Sequence, residues 1–273
     1  MPELPEVETV RRGLLPQLIQ QQIARVIIRQ KQLRWPIPSI LNKRLKGQVI
    51  NDITRRGKYL LFATQCGTVI LHLGMSGHLR MLSKQDSIKK HDHLDIILEN
   101  GQSLRFNDPR RFGAVLWTSD EPHNHWLLCN LGPEPLEEEF NGRYLYKRAQ
   151  RHRTTIKQFI MDSHVVVGVG NIYANESLYH AGIHPLQPVN SIHAKSYNRL
   201  AIAIKKILNA AIESGGSTIR NFLTSDGKPG YFVQKLHVYG RGGEPCKKCK
   251  TQLHEIRISQ RTSVFCPNCQ RNL

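Results

Sequence analysis

Residues 246–269 read CKKCKTQLHEIRISQRTSVFCPNC, and this stretch decides how the C-terminal end of the chain folds. It holds two Cys-x2-Cys pairs, Cys246 with Cys249 and Cys266 with Cys269, which are separated by sixteen residues. Two such pairs at this spacing are typical of a site in which four thiolates hold one tetrahedral zinc ion. A closed four-cysteine site leaves no coordination position for water, so the predicted zinc ion is structural and not catalytic.

The residues between the two pairs fit this interpretation. Residues 253–258 and 262–265 are short β-rich runs, as expected of a zinc ribbon. Two disulfides are the alternative, but nothing else in the sequence indicates an oxidising compartment. Cys66 and Cys129 stand apart from the pairs, and we expect both to be small buried hydrophobic residues.

Upstream of the predicted zinc unit, the apolar residues follow a helical period. Predicted helices span residues 144–149, 155–161, 171–181 and 194–214. In the last of these, Leu200, Ile204, Ile207, Leu208 and Ala211 fall on one face, and two glycines follow its end. The region between about residue 141 and residue 214 is therefore predicted to be mainly helical.

The first half of the chain combines one helix with a series of short strands. Pro5 suits the first turn of a helix, in which Val7, Val10, Leu14 and Leu18 form one apolar stripe. The runs that follow are short and β-rich: residues 23–28, 49–54, 59–63, 68–73, 78–82, 93–98, 103–106 and 114–118. Short strands in this number behind one helix predict a β-sandwich or a barrel.

The charge of the chain points to a polyanionic partner. The 273 residues carry a formal net charge of +18 at pH 7. Residues 1–140 hold 19 Lys and Arg against 15 Asp and Glu, whereas residues 141–273 hold 20 against 6. Solubility alone does not require such an excess. Nucleic acid is the favoured partner, and a membrane surface is the weaker alternative because no basic helix carries an aromatic face.

Composition also excludes several classes of protein. Hydrophobic residues make up 40% of the chain, which is enough to build a folded core. Apolar runs such as residues 59–63 are far shorter than the ~20 residues of a membrane-spanning helix. The first residues, MPELPEVETVRR, place acids where a signal peptide has basic residues, so we expect neither secretion nor mitochondrial import.

The N-terminus carries the most reactive combination of residues in the sequence. Removal of Met1 would leave Pro2 with a secondary amine, which attacks an aldehyde carbon to form an iminium ion. One of the neighbouring carboxylates, Glu3 and Glu6, would then move protons at a sugar while the other holds the amine in position. The alternative is ordinary helix capping, since Pro and Glu both favour the first turn of a helix.

Other segments have the composition of phosphate or base contacts. Asn171 follows a Gly-Val-Gly turn and begins a helix, so it either binds an anion or caps the helix. In the loop DPRRFG, Arg110 and Phe112 either enter a base stack or are a solvated cation and a buried ring. Met75, taken alone, is expected in the core. Further candidates for phosphate contacts are Lys58, His72 and Arg261.

Taken together, these segments resemble the bacterial formamidopyrimidine-DNA glycosylase family. The resemblance lies in PELPEVETVRRGL, RRGKYLLF, LHLGMSGHLR, NDPRRFGA, VVGVGNIYANESLYHAGIHP, GGSTIRNFLTSDGKPGYF and VYGRGGEPC with the second Cys-x2-Cys pair. The segments are collinear and extend from Pro2 to about residue 271. The resemblance implies a multi-domain α+β fold with an N-terminal helix plus β-sandwich (2–129), a linker (130–140), a helix–two-turn–helix domain with a lesion-capping loop (141–226) and a four-cysteine zinc-ribbon finger (236–273).

The resemblance also implies an activity. Such an enzyme is a bifunctional DNA glycosylase and AP lyase of base excision repair. It flips oxidised purines, 8-oxoguanine and formamidopyrimidines, out of double-stranded DNA, excises them through a proline Schiff base and cleaves the abasic strand by β,δ-elimination. The implied cofactor is one structural zinc ion, without an organic cofactor. We expect a monomer of the bacterial cytoplasm that associates with the nucleoid and not with a membrane, and whose partner is DNA with oxidised purines or abasic sites.

Residues are assigned by matching this sequence to the family's motifs. The implied catalytic residues are Pro2 as Schiff-base nucleophile, Glu3 as proton donor and Glu6 as its supporting carboxylate. Lys58 and Arg261 match the proton donors of β-elimination and δ-elimination. The implied DNA contacts are His72, Met75, His91, Arg110, Phe112, Arg153, Asn171, Ser217, Thr218 and Arg220, and the implied zinc ligands are Cys246, Cys249, Cys266 and Cys269.

One residue departs from the pattern, and two rival functions stay open. Family members often carry a lysine where this chain has Arg153, which keeps the charge. The sister branch of endonuclease VIII-like glycosylases acts on oxidised pyrimidines and shares the Pro-Glu start, but Leu4, the DPRRFG loop and the full SDGKPGYF loop favour the purine branch. A rival from another class is a zinc-ribbon DNA-binding protein without catalysis.

Overall fold

A computed structural model describes residues 2–83, 86–216 and 235–271. The chain divides into two compact units. The first comprises residues 1–130 and 214–231, and the second comprises residues 131–213 and 232–273.

The first unit begins with helix α1 (Leu4–Leu18). Glu3 is its N-cap residue and forms a capping box with Glu6, which satisfies two of the N–H groups that a helix start leaves without partners. The predicted stripe of Val7, Val10 and Leu14, with Leu18, is buried, and it packs in one core with the strands. A short helix α2 (Leu41–Leu45), which the sequence analysis missed, covers part of the same core.

The strands of the first unit form two antiparallel four-stranded sheets. One has the order β1-β6-β7-β5 and the other has the order β2-β3-β4-β8. The strands are β1 (Ile23–Ile28), β2 (Asp52–Arg56), β3 (Tyr59–Thr64), β4 (Gly67–His72), β5 (His78–Leu82), β6 (Asp92–Leu98), β7 (Ser103–Asn107) and β8 (Ala114–Thr118). All eight predicted strands are confirmed, and the barrel alternative is wrong because the strands divide into two sheets.

The two sheets share one apolar core. Phe62 and Leu71 from the second sheet join Ile96 and Phe106 from the first sheet in a single buried cluster. Each of these side chains contributes roughly 1.5–3 kcal/mol when it is removed from water. The arrangement is a β-sandwich, whose loops between strands are free to carry polar and reactive residues.

A buried charge network lies on the first sheet. Arg105 on β7 donates to both carboxylate oxygens of Asp95 at 2.8 and 2.9 Å, and to Asp92 at 3.2 Å. Two partly exposed arginines complete the network, because Arg29 pairs with Asp95 and Arg80 pairs with Asp92. Burial alone would raise the pKa of Asp92 and Asp95. Hydrogen bonds from Arg105 and Arg29 lower the pKa of Asp95, and hydrogen bonds from Asn107 and the Lys89 N–H, with the charges of the arginines, lower the pKa of Asp92. The network therefore stays ionised at neutral pH.

The second unit is helical, as predicted, with helices α3 (Gly142–Ala149), α4 (Ile156–Met161), α5 (Asn171–Ala181) and α6 (Ala194–Glu213). The predicted apolar face of α6 is buried and packs against α3 and α5. Helix α5 is buried on nearly every side, which leaves only Asn171 and His180 with appreciable exposure. Gly182, at a φ of 69°, ends this helix in the left-handed conformation that favours glycine.

The finger of the second unit is a hairpin of β9 (His254–Ile258) and β10 (Arg261–Phe265). Its two-residue turn, Ser259 and Gln260, has φ values of 46° and 63°. Positive φ at both positions is the geometry of a type I′ turn, which matches the twist of the two strands. The finger packs on α5, where Tyr179 joins the apolar cluster that contains Val238 and Leu253.

Two expectations about single cysteines are wrong. Cys129 is exposed and Cys66 is only partly buried, because each lies in a turn or loop at the surface of the first unit. Cys66 Sγ donates to the Arg44 carbonyl over 3.1 Å. Separately, none of the helices that the structure describes is long and apolar enough to cross a membrane.

Candidate active site and nucleic-acid-binding residues

The predicted reactive residues lie at the start of α1. Pro2 is buried, and Glu3 and Glu6 are each only 2% exposed. The backbone N–H of Glu3 donates to Glu6 Oε2 at 2.8 Å, and the Glu3 carboxylate accepts from the Glu6 N–H. The capping predicted as an alternative is therefore present. It does not exclude chemistry, because it fixes two carboxylates beside residue 2.

Gly216 lies against the same carboxylate. A Cβ placed on Gly216 would be 3.3 Å from Glu6 Cγ and 3.3 Å from Glu6 Oε1. The φ of Gly216 is 81°, a conformation that side chains with a Cβ rarely adopt. Glycine at this position lets the backbone approach the Glu6 side chain closely.

Glu8 is a charged residue whose role the sequence analysis missed. Its carboxylate pairs with Arg11 at 2.8 Å, Arg12 at 2.9 Å and Arg55 at 3.1 Å. Burial alone would raise the pKa of Glu8, but the hydrogen bonds from Arg11 and Arg12 and the charge of Arg55 lower it to about 2. Because Arg55 belongs to β2, this cluster anchors the start of α1 to the sheet.

Lys58 and His72 meet at one end of the second sheet. Lys58 precedes β3, and the strand register places Tyr59 opposite His72, the last residue of β4. Burial, together with the nearby charges of Lys58 and Arg34, lowers the pKa of His72 to about 4. The His72 Nδ1 atom accepts from the Gly74 N–H at 2.9 Å. His72 is therefore neutral at pH 7, and its Nε2–H is available as a donor.

The residues predicted to enter the duplex lie on two loops that pack together. Met75 is 40% exposed, so its expected place in the core is wrong, and Phe112 is 45% exposed, so the alternative of a buried ring is wrong as well. The Arg110 guanidinium lies 4.8 Å from the centre of the Phe112 ring, where its charge faces the π electrons. Gly74, at a φ of 65°, brings the two loops together, because a Cβ there would lie 2.4 Å from the Gly113 nitrogen.

Asp108 joins these two loops, and the sequence analysis did not assign it a role. It is fully buried. Its Oδ1 accepts from Ser76 Oγ at 2.6 Å, and its Oδ2 accepts from the Gly113 N–H at 2.8 Å. Its own N–H donates to the carbonyl of His91 at 3.1 Å, which brings a fourth predicted DNA contact to the same corner. The only sign of this role in the sequence was the position of Asp108, an acidic residue between a strand and a proline.

In the second unit, Asn171 and Arg261 lie beside the same strand. Asn171 opens α5, and its Nδ2 donates to the Thr262 carbonyl at 3.2 Å. Arg261 is exposed and directly precedes Thr262 on β10. The two predicted phosphate contacts are thus brought close to one another. Arg153 is exposed in the segment between α3 and α4.

Lys157 supports this arrangement, although the sequence analysis missed it. The lysine is 1% exposed. Its Nζ donates to Ser263 Oγ at 2.5 Å and to the Thr262 carbonyl at 3.1 Å. Asn175 on α5 accepts from the Val264 N–H at 2.8 Å, one residue further along β10. A lysine inside the apolar run of α4 was the available signal, since such a residue needs a buried partner.

Three predicted DNA contacts, Ser217, Thr218 and Arg220, lie outside the described residues.

The four cysteines of the finger fit one zinc ion. Cys249 Sγ lies 3.4 Å from Cys266 Sγ and 3.5 Å from Cys269 Sγ, and all four sulfurs lie within 4.8 Å of one another. Sulfurs bound at ~2.3 Å to a tetrahedral zinc ion are about 3.8 Å apart, whereas a disulfide requires about 2.05 Å. The disulfide alternative is wrong. The Thr251 hydroxyl lies 3.4 Å from Cys249 Sγ, where it can hydrogen-bond to the thiolate that a metal needs.

Known protein families match the chain in three consecutive segments. Residues 1–115 match the formamidopyrimidine-DNA glycosylase N-terminal domain, and residues 131–223 match the formamidopyrimidine-DNA glycosylase H2TH domain. Residues 243–272 match the zinc finger found in FPG and IleRS. The finger match agrees with the four-cysteine geometry, so the finger holds one structural zinc ion.

Similar proteins cover the whole chain. The formamidopyrimidine-DNA glycosylase of Stutzerimonas stutzeri is 56% identical over 271 residues, which are 99% of this chain and 100% of that protein. A structure of MutM in complex with DNA that contains carbocyclic 8-oxo-G has a TM-score of 0.91 at 35% identity, over 99% of this chain and 100% of that one. Lactococcus lactis Fpg in complex with DNA that contains an abasic site has a TM-score of 0.91 at 34% identity, over 98% of this chain and 99% of that one.

These matches span the β-sandwich with its reactive start, the helices that carry Asn171 and the four-cysteine finger. The chain therefore belongs to the formamidopyrimidine-DNA glycosylase family, whose members are DNA glycosylases of base excision repair with AP lyase activity.

Proposed function

We propose that this chain excises oxidised purines from double-stranded DNA through the amine of Pro2 and then cleaves the abasic strand by β,δ-elimination. One observation carries the proposal. Two buried carboxylates, Glu3 and Glu6, are fixed by reciprocal hydrogen bonds directly beside residue 2. A nucleophile and a proton-transfer group held at one point are the requirements of covalent catalysis at a sugar.

The reaction begins at C1′ of the flipped nucleotide. The Pro2 nitrogen forms a bond to C1′ as the bond from C1′ to the base breaks, and the base leaves with a proton. Glu3 donates a proton to the sugar ring oxygen, so that the ring opens and the C1′–N bond becomes an iminium ion. Because proline is a secondary amine, this iminium carries a permanent positive charge and withdraws electrons from the sugar.

Elimination follows from that charge. The sugar loses a proton at C2′, and the bond to the 3′ phosphate breaks. In a second elimination the sugar loses its proton at C4′, and the bond to the 5′ phosphate breaks. We assign proton donation in the two steps to Lys58 and Arg261. In support, Lys58 lies beside the neutral donor His72, and Arg261 lies beside Asn171. The zinc ion has a structural role, in which it holds the finger that carries Arg261.

The exposed side chains of the two packed loops support recognition of a flipped base. Met75 and Phe112 are apolar and exposed, and Arg110 lies over the Phe112 ring. Apolar wedges of this kind fill the space that an extruded base leaves, and a guanidinium hydrogen-bonds to the orphaned partner base. We therefore assign this trio to the duplex, with Arg110 facing cytosine. His91, Arg153, Ser217, Thr218 and Arg220 remain proposed DNA contacts.

Domain boundaries and location complete the proposal. We retain residues 2–129, 130–140, 141–226 and 236–273 as sandwich, linker, helical domain and finger. We also infer that the enzyme acts as a monomer in the cytoplasm, at the nucleoid, because its substrate is chromosomal DNA and its charge of +18 favours phosphate contacts.

Borohydride trapping tests the chemistry. The chain, with its N-terminus confirmed as Pro2 by intact mass, is incubated with DNA that holds 8-oxoguanine opposite cytosine. Reduction of the imine should give a covalent protein–DNA adduct. A matched chain with one extra residue before Pro2 should bind the same DNA and give no adduct. Absence of an adduct with the confirmed Pro2 chain would overturn the proposal in favour of a non-catalytic binding protein.

A substrate panel tests the purine assignment. Excision of 8-oxoguanine and formamidopyrimidines should be much faster than excision of thymine glycol or 5-hydroxycytosine under single-turnover conditions. Faster excision of the oxidised pyrimidines would assign the chain to the pyrimidine branch. That result would not affect the Schiff-base part of the proposal.

A further inference from the structure

A second cluster of metal-binding side chains lies on α5, apart from the four cysteines. Glu176 and His180 are four residues apart, which places both on one face of the helix. His237 reaches the same face from the segment that leads into the finger. One ligand atom from each of the three residues lies within 4.8 Å of the other two.

The carboxylate of this cluster is held in a fixed position. Glu176 is 2% exposed, and its oxygens accept the backbone N–H groups of residues 237, 238 and 239, each at 2.9 Å. A carboxylate has about four acceptor positions, so one is left for the His237 side chain or for an ion. It belongs to Oε2, which accepts only one of these hydrogen bonds and lies 3.6 Å from His237 Nδ1. Burial would raise the pKa of Glu176, but the hydrogen bonds from His237 and the backbone lower it, so the group is anionic.

The two imidazoles face each other through ring nitrogens. His180 Nε2 lies 3.2 Å from His237 Nδ1, which is close enough for both nitrogens to bind one ion. The rings are nearly perpendicular, with centroids 4.5 Å apart. Tyr179 stacks on the His237 ring at 5.6 Å, which restricts its orientation.

These separations match the bond angles of a transition-metal site. Two nitrogens 3.2 Å apart subtend about 100° at an ion placed ~2.05 Å from each. The 3.6 Å separation of Glu176 Oε2 and His237 Nδ1 subtends about 120° in the same way. Both values lie near the tetrahedral angle of about 109°, and the ligand atoms of the third pair, Glu176 and His180, lie within 4.8 Å of one another.

The cluster opens into a cavity of about 620 Å³. Arg199, Lys247 and Lys248 line this cavity as well. Two of these cations are engaged with neighbouring oxygens: Lys247 donates to the Leu236 carbonyl at 2.6 Å, and Arg199 donates to Ser196 Oγ at 3.0 Å. The remaining coordination position of an ion in the cluster would face solvent, and the basic wall favours water or an anion there.

We propose that Glu176, His180 and His237 bind a second divalent metal ion of the zinc class, with an open position toward the cavity. Two imidazoles and one carboxylate are ligands that such ions prefer. The ion would link α5 to the segment that enters the finger, and it is independent of the Schiff-base chemistry.

Metal stoichiometry tests this proposal. The full-length protein, with zinc in its finger, is titrated with Zn²⁺ and examined by native mass spectrometry. We expect two bound ions in the unaltered chain and one in the double variant His180→Ala with His237→Gln. The single variant His180→Ala leaves the Glu176 contacts intact, and it should lower the affinity for the second ion by more than about 10-fold. His123→Gln, which removes an exposed histidine of the first unit, should retain two ions.

Cobalt spectroscopy identifies the ligands. Co²⁺ added to the zinc-loaded protein should give weak ligand-field bands without thiolate charge-transfer absorption, and these bands should be absent in the double variant. One ion at saturating zinc, or a second ion that both histidine variants retain, would overturn the proposal. Thiolate absorption would also overturn it, since the added ion would then be in the finger.

Discussion

The backbone N–H of Glu3 donates to Glu6 Oε2 over 2.8 Å, and the Glu3 carboxylate accepts from the Glu6 N–H in return. This pair of hydrogen bonds starts helix α1 and, at the same time, fixes the carboxylate assigned to proton donation. The two residues that cap the helix thus also supply and position the carboxylate assigned to catalysis.

Glu6 should therefore control the rate of excision through Glu3. Glu6→Gln keeps an acceptor oxygen, whereas Glu6→Ala removes it and leaves the Glu3 N–H without its partner. We expect Glu6→Ala to lower single-turnover excision of 8-oxoguanine more than about 10-fold and to lower the free energy of unfolding by about 1 kcal/mol. Glu6→Gln should retain most of the stability. Equal excision rates for Glu6→Ala and the unaltered chain would show that Glu6 does not position Glu3.

Asp108 should position the residues assigned to the duplex. Asp108→Asn removes the Oδ2 acceptor that the Gly113 N–H uses, and the buried N–H then lacks a partner, which costs about 1–3 kcal/mol. We expect weaker unstacking of the target base, measured by the fluorescence of 2-aminopurine placed next to the lesion. Asp120→Asn, on an exposed turn, is the matched control and should leave the signal unchanged. Unaltered fluorescence in Asp108→Asn would contradict this role.

Lys157 should hold strand β10 and, with it, Arg261. Lys157→Met keeps the length of the side chain but removes both hydrogen bonds to residues 262 and 263. Because Arg261 precedes this contact, we expect affinity for abasic-site DNA to fall about 10-fold or more while the finger retains its zinc. Lys206→Met, on the exposed side of α6, should lower affinity much less. Equal losses in the two variants would indicate a general charge effect.

His72 should remain neutral down to acidic pH. Its pKa of about 4 lies below the ordinary 6.5, so the unfolded chain binds more protons between these values. The His72 contribution to stability is therefore constant above about pH 6.5 and falls as the pH decreases toward 4. Correlation spectra of the ring nitrogens, assigned with His72→Gln, should show the Nε2–H tautomer at pH 5.5. An imidazolium signal at that pH would contradict the prediction.

Glu8 should contribute stability that is lost in acid. Its pKa of about 2 in the folded chain lies below the ordinary 4.5, so its contribution is complete above about pH 4.5 and disappears as the pH falls toward 2. The difference corresponds to about 3 kcal/mol. We expect Glu8→Gln to lower the free energy of unfolding near pH 7 by about this amount, and by much less at pH 2.5. The exposed Glu121→Gln should change it by less than about 0.5 kcal/mol at either pH.

The fold was predictable where local patterns decide it. Strands such as β1 and β5 were predicted at their observed bounds, because short runs rich in apolar residues stand between polar or glycine-containing segments. Helix α5 was predicted at its observed bounds because a Gly-rich turn precedes it and Gly182 follows it. Helix α2 was missed, because five residues are too few to show a helical period.

The sequence allowed the types of residue in the site to be predicted, but not the contacts between them. Lys58, His72 and Phe112 carry recognisable chemistry, yet only the register of three strands brings their loops to one corner. Asp108 and Lys157 were missed because their importance lies in partners that are distant in sequence. Lys157 and Ser263, for example, are separated by 106 positions. No local pattern in the sequence predicts such a pair. The partner is needed because a buried charge without a hydrogen bond would destabilise the fold.

The exposure of Cys129 gives the protein a convenient chemical handle. Four of the six thiols serve the finger, and Cys66 is half-buried, so a thiol-reactive fluorophore should modify Cys129 first. The attachment point lies next to Asn130, the last residue of the first of the two segments that form the first compact unit. Trp126, three positions earlier and 57% exposed, is close enough to transfer excitation to the dye. A single labelled thiol would thus allow stopped-flow observation of DNA engagement without engineering a new cysteine.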